Sequence, residues 1–190
     1  MPAVFRFTDY VADELRRCAE AFRQHFENPN LSGNAAWTRA VYQWFIDAAA
    51  PGIRSYCNPN VVPDGYYEFL VDLCHTTYPP RDDSMRRRAW YDLAVSQPLR
   101  FRLALECEWD QSSRDGSLAR IMDDAAKLAG VRADSKVMIF GSLAKDHRLQ
   151  IVKSLERLRD AADDNVPWLW IDVLWQGYRV NRDIQFAVFE

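Results

Sequence analysis

The chain has 190 residues, 48% hydrophobic and 27% charged, with a formal net charge of −3. That suffices for one domain with a sizeable core, and it excludes a disordered or low-complexity polymer. The slightly acidic balance excludes general attraction to nucleic acid, so a DNA partner would need a local basic face.

In chain order, Thr8 to Phe26 reads as a helix. Val11, Leu15, Cys18, Ala19, Phe22 and Phe26 form one apolar stripe, and Thr8 or Asp9 is placed to cap it. Asn28-Pro29-Asn30 breaks the pattern. A second helix is expected from Asn34 to about Ala50, burying Trp37, Val41, Trp44, Phe45 and Ala48, and Pro51-Gly52 ends it. A short strand over Ile53–Cys57 is weakly patterned and leads into a turn-rich stretch. Tyr66 to Cys74 has the aromatic and β-branched character of a strand, with Glu68, Leu70 and Asp72 on one face. Pro79-Pro80 closes that region, and a short helix is expected within Arg81–Val95.

Leu99 to Trp109 reads as the next strand. Side chains alternate across a strand, so Ala104, Glu106 and Glu108 share one face, while Leu103, Leu105, Cys107 and Trp109 share the other. Asp110–Gly116 reads as a polar loop. Leu118, Ile121, Met122, Ala125, Leu128 and Ala129 then give a well-patterned helix that Gly130 ends. Lys136–Phe140 is a strand stopped by Gly141. Asp146 opens a helix to about Ala162 with Leu149, Val152, Leu155 and Leu158 inward. Trp168–Trp175 and Tyr178–Phe189 form a terminal hairpin.

The strand–helix–strand unit from Leu103 to Phe140 implies parallel pairing through a right-handed crossover. Helices before and after the sheet would cover its two faces. The fold class is therefore α/β, a three-layer αβα sandwich with a mixed central sheet.

Four cysteines without a CxxC pair suggest buried free thiols and a reducing compartment. The opening residues lack the apolar core of a signal peptide. No stretch approaches the roughly 18 apolar residues of a membrane span. The cytoplasm is the expected location.

Like charges two residues apart on one strand face repel, so Glu106 and Glu108 ask for an offsetting partner. Divalent Mg²⁺ or Mn²⁺ takes hard oxygen ligands, commonly one or two carboxylates with several waters. If the strands carrying Asp72 and Glu106 are neighbours in register, both carboxylates converge on one cation. Glu108, ~6.6 Å further along the same face at ~3.3 Å per residue, could serve as a further ligand or deprotonate a water.

Here the chain resembles the PD-(D/E)XK nuclease superfamily, the restriction-endonuclease-like fold. Asp72 matches the first acid, Glu106 the second, and residues 37–141 span the matching core. The resemblance implies a single domain over 1–190, with a helical part (1–50), a core (53–141), and an added helix and hairpin (146–190). It implies a metal-dependent nuclease that hydrolyses phosphodiester bonds, with DNA as partner. Asp72, Glu106 and Glu108 would be its metal and catalytic carboxylates. Pro63-Asp64 is a literal match to the first motif but lies in a turn before the strand. Glu108 stands where the family has lysine, giving a Glu-x-Glu variant. The basic residue would then come from elsewhere. Lys127 on the following helix is one candidate, although its position opposite the apolar stripe, with Asp123 as surface partner, points it outward. Lys136 is the other candidate.

Plainer readings stand beside these. Glu106 and Glu108 could lie on a solvated edge, paired with Arg100 or Arg102. Arg81 with Arg86-Arg87-Arg88 could grip phosphates or form a solvated helix face. Cys74-His75 is not a nucleophile–base pair, because neighbouring strand residues face opposite ways. The Trp-rich C-terminal stretch reads as core or as an interface between copies in a homo-oligomer. The alternative to an enzyme is a catalytically inactive nuclease-fold binding or structural module.

Overall fold

The alternation expected for Leu99–Trp109 appears over Phe101–Glu108, a strand that lies inside a six-stranded mixed sheet rather than at its rim. The computed structural model describes residues 5–27, 31, 33–57, 71–77, 101–109, 113–162, 165–176 and 179–190. Over these residues the fold is α/β. The strands are β1 (Arg54–Cys57), β2 (Leu73–Thr76), β3 (Phe101–Glu108), β4 (Ala133–Ser142), β5 (Trp168–Gln176) and β6 (Arg179–Phe189). The helices are α1 (Ala12–His25), α2 (Asn34–Asp47), α3 (Arg114–Gly130) and α4 (Lys145–Ala162). Spatial order follows chain order, β1 to β6. β3, β4 and β5 run parallel, and the remaining neighbours are antiparallel.

Topology explains where the helices go. Two right-handed crossovers that move the same way across a sheet place both connecting helices on one face. Accordingly α3 and α4 share one hydrophobic cluster, through Ile121, Ala125, Leu128, Ile151 and Leu155, with Ala104, Met138, Phe140 and Trp170 of the sheet. The alternate strand residues Leu103, Leu105, Val137, Ile139, Leu169 and Ile171 pack with α1 and α2 in a second cluster. No helix among the described residues is long and apolar enough to cross a membrane. Cys18, Cys57, Cys74 and Cys107 are all free and buried.

Several boundaries differ from the expected ones, for identifiable reasons. α1 starts at Ala12 after Val11, which provides no side-chain cap. Glu14, at the third helical position, instead reaches back and accepts the Thr8, Asp9 and Tyr10 amides at 2.8–3.0 Å. A first-turn carboxylate thus satisfies the amides of the chain leading into the helix. It holds Tyr10 at φ 57, a region that a bulky residue enters only when its surroundings impose it. α3 begins a turn earlier than its apolar stripe, so residues 114–116 are helix rather than loop. The Ser113 hydroxyl accepts from Gly116 N at 3.0 Å, and Asp115 sits favourably in the first turn. In the expected strand over residues 66–74, residues 66–70 lie outside the described set, and β2 starts only at Leu73. The helix expected within 81–95, Pro63-Asp64, Arg81 and Arg86–Arg88 also lie outside it.

The C-terminal helix and hairpin are integral to the sheet. β5 pairs with β4 from Lys136–Trp168 to Ser142–Leu174. Arg148 of α4 ties to Asp172 of β5 and, at 3.2 Å, to Asp183 of β6. Leu149, expected inward, is 61% exposed. Leu155 is buried and Val152 and Leu158 pack half-buried beside it as expected, while His147 and Ile151 complete the inner stripe. His147 accepts Leu143 N at 3.2 Å on Nδ1 and donates from Nε2 to the Arg114 carbonyl at 3.1 Å, so a polar ring is satisfied in a buried place.

Gly141 does not stop β4 but lies within it. A Cβ there would sit 2.8 Å from Trp175 Nε1 and 2.9 Å from its Cδ1. Trp175 cannot move aside easily. It is locked in a triangle with Trp37 and Trp109, with ring centroids 5.8–6.0 Å apart. Gly141→Ala is therefore expected to destabilise the protein by about 1–3 kcal/mol through overpacking, read as a lower urea midpoint. An unchanged midpoint would show that the triangle has slack.

Candidate functional site

β2 and β3 pair with Leu73 opposite Leu105 and Cys74 opposite Ala104. One step further along the same register sets Asp72 opposite Glu106, and residues directly opposite one another share a face. Asp72 lies just before β2, in a bend. Its Oδ2 accepts the Cys107 amide at 2.9 Å. Tyr42 of α2 is buried, and it and Asp72 shift one another's titration. Burial pushes that phenol well above its ordinary range, with the charge of Asp72 adding to the effect. Tyr42 therefore remains a donor.

Glu106 is fully buried, and no group with a fixed hydrogen to donate meets either of its carboxyl oxygens. Lys127 Nζ stands 3.7 Å from Oε1, near enough for charge attraction and too far for a hydrogen bond. Asp72 and Glu106 are within hydrogen-bonding reach of each other. Two ionised carboxylates have no proton to share, so one proton on the pair supplies the missing donor. Burial, then the negative charges of Asp72 and Asp124, push Glu106 up to about 9. Burial likewise raises Asp72, against the opposing pull of the Cys107 amide and Tyr42. Like charges so close behave as a coupled pair.

Lys127 corrects an expectation. Its partner is Asp124 rather than Asp123, at 2.6 Å, one helical turn away. Although its Cα faces away from the stripe of α3, the long side chain reaches back over the helix edge to Glu106, with 48% of it still exposed. Burial pulls its pKa down, but the Asp124 bond and the charges of Glu106 and Asp72 outweigh that and raise it. The amine stays a cation.

Lys136, the other basic candidate, is 1% exposed. Its Nζ donates to the Ala129 carbonyl at the end of α3 at 3.4 Å and lies 5.0 Å over the Trp168 ring. It closes a helix terminus, and Lys127 is the lysine brought to Glu106. Glu108 is half-buried opposite Phe140, and its charge acts on the Cys107 thiol. It is not gathered with Asp72 and Glu106 into a three-ligand set. Among the described residues, no three His, Cys, Asp or Glu side chains stand together closely enough to hold a metal ion. The solvated-edge reading of Glu106 fails on its complete burial. Arg102 pairs with Asp134 at 2.6 Å and Asp9 at 3.4 Å instead, and Arg100 lies outside the described residues.

No protein-family model matches the chain, and neither a curated protein nor a solved structure does.

Cys74 and His75 do face opposite ways. Cys74 joins the α3–α4 cluster, whereas His75 is bonded to Tyr10 through Nδ1 and to the Phe45 carbonyl through Nε2, each at 2.9 Å. Trp168, Trp170 and Trp175 are core, each at most 2% exposed.

Sequence reasoning missed Asp124 and Tyr42. Asp124 carried a usable signal, since its spacing to Lys127 puts both on one helix edge. Tyr42 carried none, because it borders an apolar stripe and only the fold brings it near Asp72.

Proposed function

We propose that the chain is a metal-dependent nuclease of the restriction-endonuclease-like type, a three-layer αβα sandwich whose site is the Asp72–Glu106 pair. The observation that carries it is the buried Glu106 carboxyl, whose two oxygens lack any fixed donor while Asp72 converges on them from the next strand. A buried Glu106 carboxyl without a hydrogen-bond donor is costly, and a divalent cation shared with Asp72 would offset that cost. Two carboxylates with retained waters suit Mg²⁺ or Mn²⁺, so a third protein carboxylate is not required.

Asp72 and Glu106 would hold the ion. When bound, it supplies Lewis-acid polarisation of a phosphoryl group and a water of lowered pKa. The chain's own groups do the rest. The Asp124-held Lys127 presents a cation beside Glu106, where it would neutralise charge developing on a phosphate oxygen. Glu108, further along the strand, would accept the proton of the attacking water. The substrate would be a nucleic acid, DNA or RNA, held by a local basic face because the net charge is −3.

Calorimetry is expected to show Mn²⁺ uptake in the micromolar-to-millimolar range, abolished by Asp72→Ala or Glu106→Ala, with nicking of plasmid DNA by the wild type. An intact plasmid with no metal uptake would sink the enzyme. Uptake without cleavage would instead favour an inactive binding module, the second reading, to which the Glu at position 108 points.

A further inference from the structure

The two edges of the sheet are unlike. β1 has four residues, whereas β6 has eleven. Among the described residues β6 is hydrogen-bonded to β5 alone, and from Trp168–Phe189 to Val173–Ile184 that pairing is regular. An edge strand is ordinarily blunted by shortness, lysine, proline or a bulge. Residues 179–189 contain no lysine and no proline. Phe186, Ala187, Val188 and Phe189 form a half-buried apolar run, and the register shift lies beyond it, past Val173.

α1 lies along this edge and carries a self-complementary row of charges. It rests on both β5 and β6 and runs opposite to β6. Arg16 pairs with Glu190, the Arg23 guanidinium stands 5.7 Å over the Phe186 ring, and Glu27 borders the same shallow cleft as Gln185. Arg16, Glu20, Arg23 and Glu27 follow at i, i+4, i+7 and i+11, one stripe on the β6 side of the helix. A two-fold axis midway between Glu20 and Arg23 sets Arg16 against Glu27 of the partner subunit and Glu20 against Arg23 of the partner subunit. Glu20 and Arg23 are already paired within the helix at 2.7 Å, so across the axis the charges form a network. That axis lies ~2 Å from Arg23 along α1, at about 1.5 Å per residue, and so passes beside Ala187. The spacing fits as well. Above the gap between β5 and β6, α1 sits half a strand spacing inside β6. With strands ~4.8 Å apart, two copies joined edge to edge would hold their α1 helices ~9.6 Å apart, and packed helices stand about 8–10 Å apart.

We infer that a second copy of this chain covers the edge: two β6 strands pair antiparallel about a two-fold axis at Ala187, joining the sheets, while the α1 helices pair above them through Arg16–Glu27 and Glu20–Arg23 contacts. Such an interface is isologous and closes in a dimer. It is independent of the metal-dependent reading.

The test uses the full chain, sedimented at rising micromolar concentration. Wild type is expected to run as a dimer, with the β6 amides that face away from β5 protected from hydrogen exchange. Glu20→Arg and Arg23→Glu each put like charges across the axis, and each should weaken the dimer about 10- to 100-fold. Mixed together, the two variants are complementary again and should form a one-to-one dimer. The pair within each helix stays broken in that mixture, so recovery can arise only between copies. A wild type that stays monomeric overturns the inference, whether its outward amides are open to another protein's strand or covered by the chain's own segments. So does a dimer that survives both reversals, a mixture that stays monomeric, or a wild-type dimer whose outward β6 amides exchange freely. The last readout needs no variant to fold.

Discussion

Glu106→Gln is expected to make the metal-free protein more stable, and increasingly so as pH rises. In the folded chain burial and the neighbouring charges push Glu106 up to about 9, whereas an unstructured glutamate titrates near 4.5. Between these values the folded state holds a proton that the unfolded state has released. Stability therefore falls as pH rises from 4.5 toward 9, the opposite of an ordinary salt-bridged carboxylate. Glutamine does not titrate, and its amide donates to Asp72 as the protonated acid does. At pH 8 the gain should be on the order of 2–5 kcal/mol, shrinking toward zero near pH 4.5, in urea titrations run with chelator. The same variant should lose Mn²⁺ uptake. A gain that does not vary with pH, or a loss, would show that Glu106 is already satisfied in the folded state. Stability given up at one buried group is a common mark of a functional position.

The second large effect has the reverse sign. His75 is completely buried; burial pulls its pKa down to about 4, and the bond to the Phe45 carbonyl only partly opposes this. An unfolded imidazole takes up its proton below about 6.5, while the folded one refuses it. The stabilisation is therefore complete above 6.5 and is lost as pH falls toward 4. The loss should be on the order of 3 kcal/mol from this one side chain. Stability of the Glu106→Gln variant, which lacks the opposing glutamate slope, should report it when measured from pH 7 to pH 4, and the His75 ring resonances should stay those of neutral imidazole down to about pH 5. A ring that titrates near 6.5 would mean the Tyr10–His75–Phe45 chain is open in solution. Between pH 4.5 and 6.5 the slopes from Glu106 and His75 oppose each other, so a flat optimum is expected there.

Much of the fold was legible because burial is periodic. The stripe Trp37, Val41, Trp44, Phe45 and the set Leu103, Leu105, Cys107, Trp109 are buried as read, although helices cover both faces of β3, so Ala104 and Glu106 are buried as well. The parallel β3–β4 pair followed from the length of its connection. Periodicity fails where polar groups are satisfied locally. His147 looks like a surface residue until its two backbone partners are counted, and that shift of the inner stripe leaves Leu149 outside. It fails again at Gly141, whose meaning is the room Trp175 needs rather than a turn. Of the site, Glu106 was legible as a strand-borne acid, and Asp72 falls opposite it by register although it sits in a bend one residue ahead of β2 rather than on the expected strand. The reach of Lys127 and the arrival of Tyr42 depend on side-chain length and helix docking, which spacing along one element does not encode.

The sequential order of the sheet has a consequence for synthesis. Each described strand from β2 onward pairs with the one made just before it, so no strand has to insert between two that are already joined. A chain leaving the ribosome can extend its sheet edge by edge in the order in which it is translated. Tyr42, Asp72 and Glu106 all emerge before Lys127, and α3, which packs on β3 as well as on β4, follows β3 in the chain. The carboxyl pair therefore exists for a time in the nascent chain without its cation, and α3 completes the centre as the parallel half of the sheet is laid down.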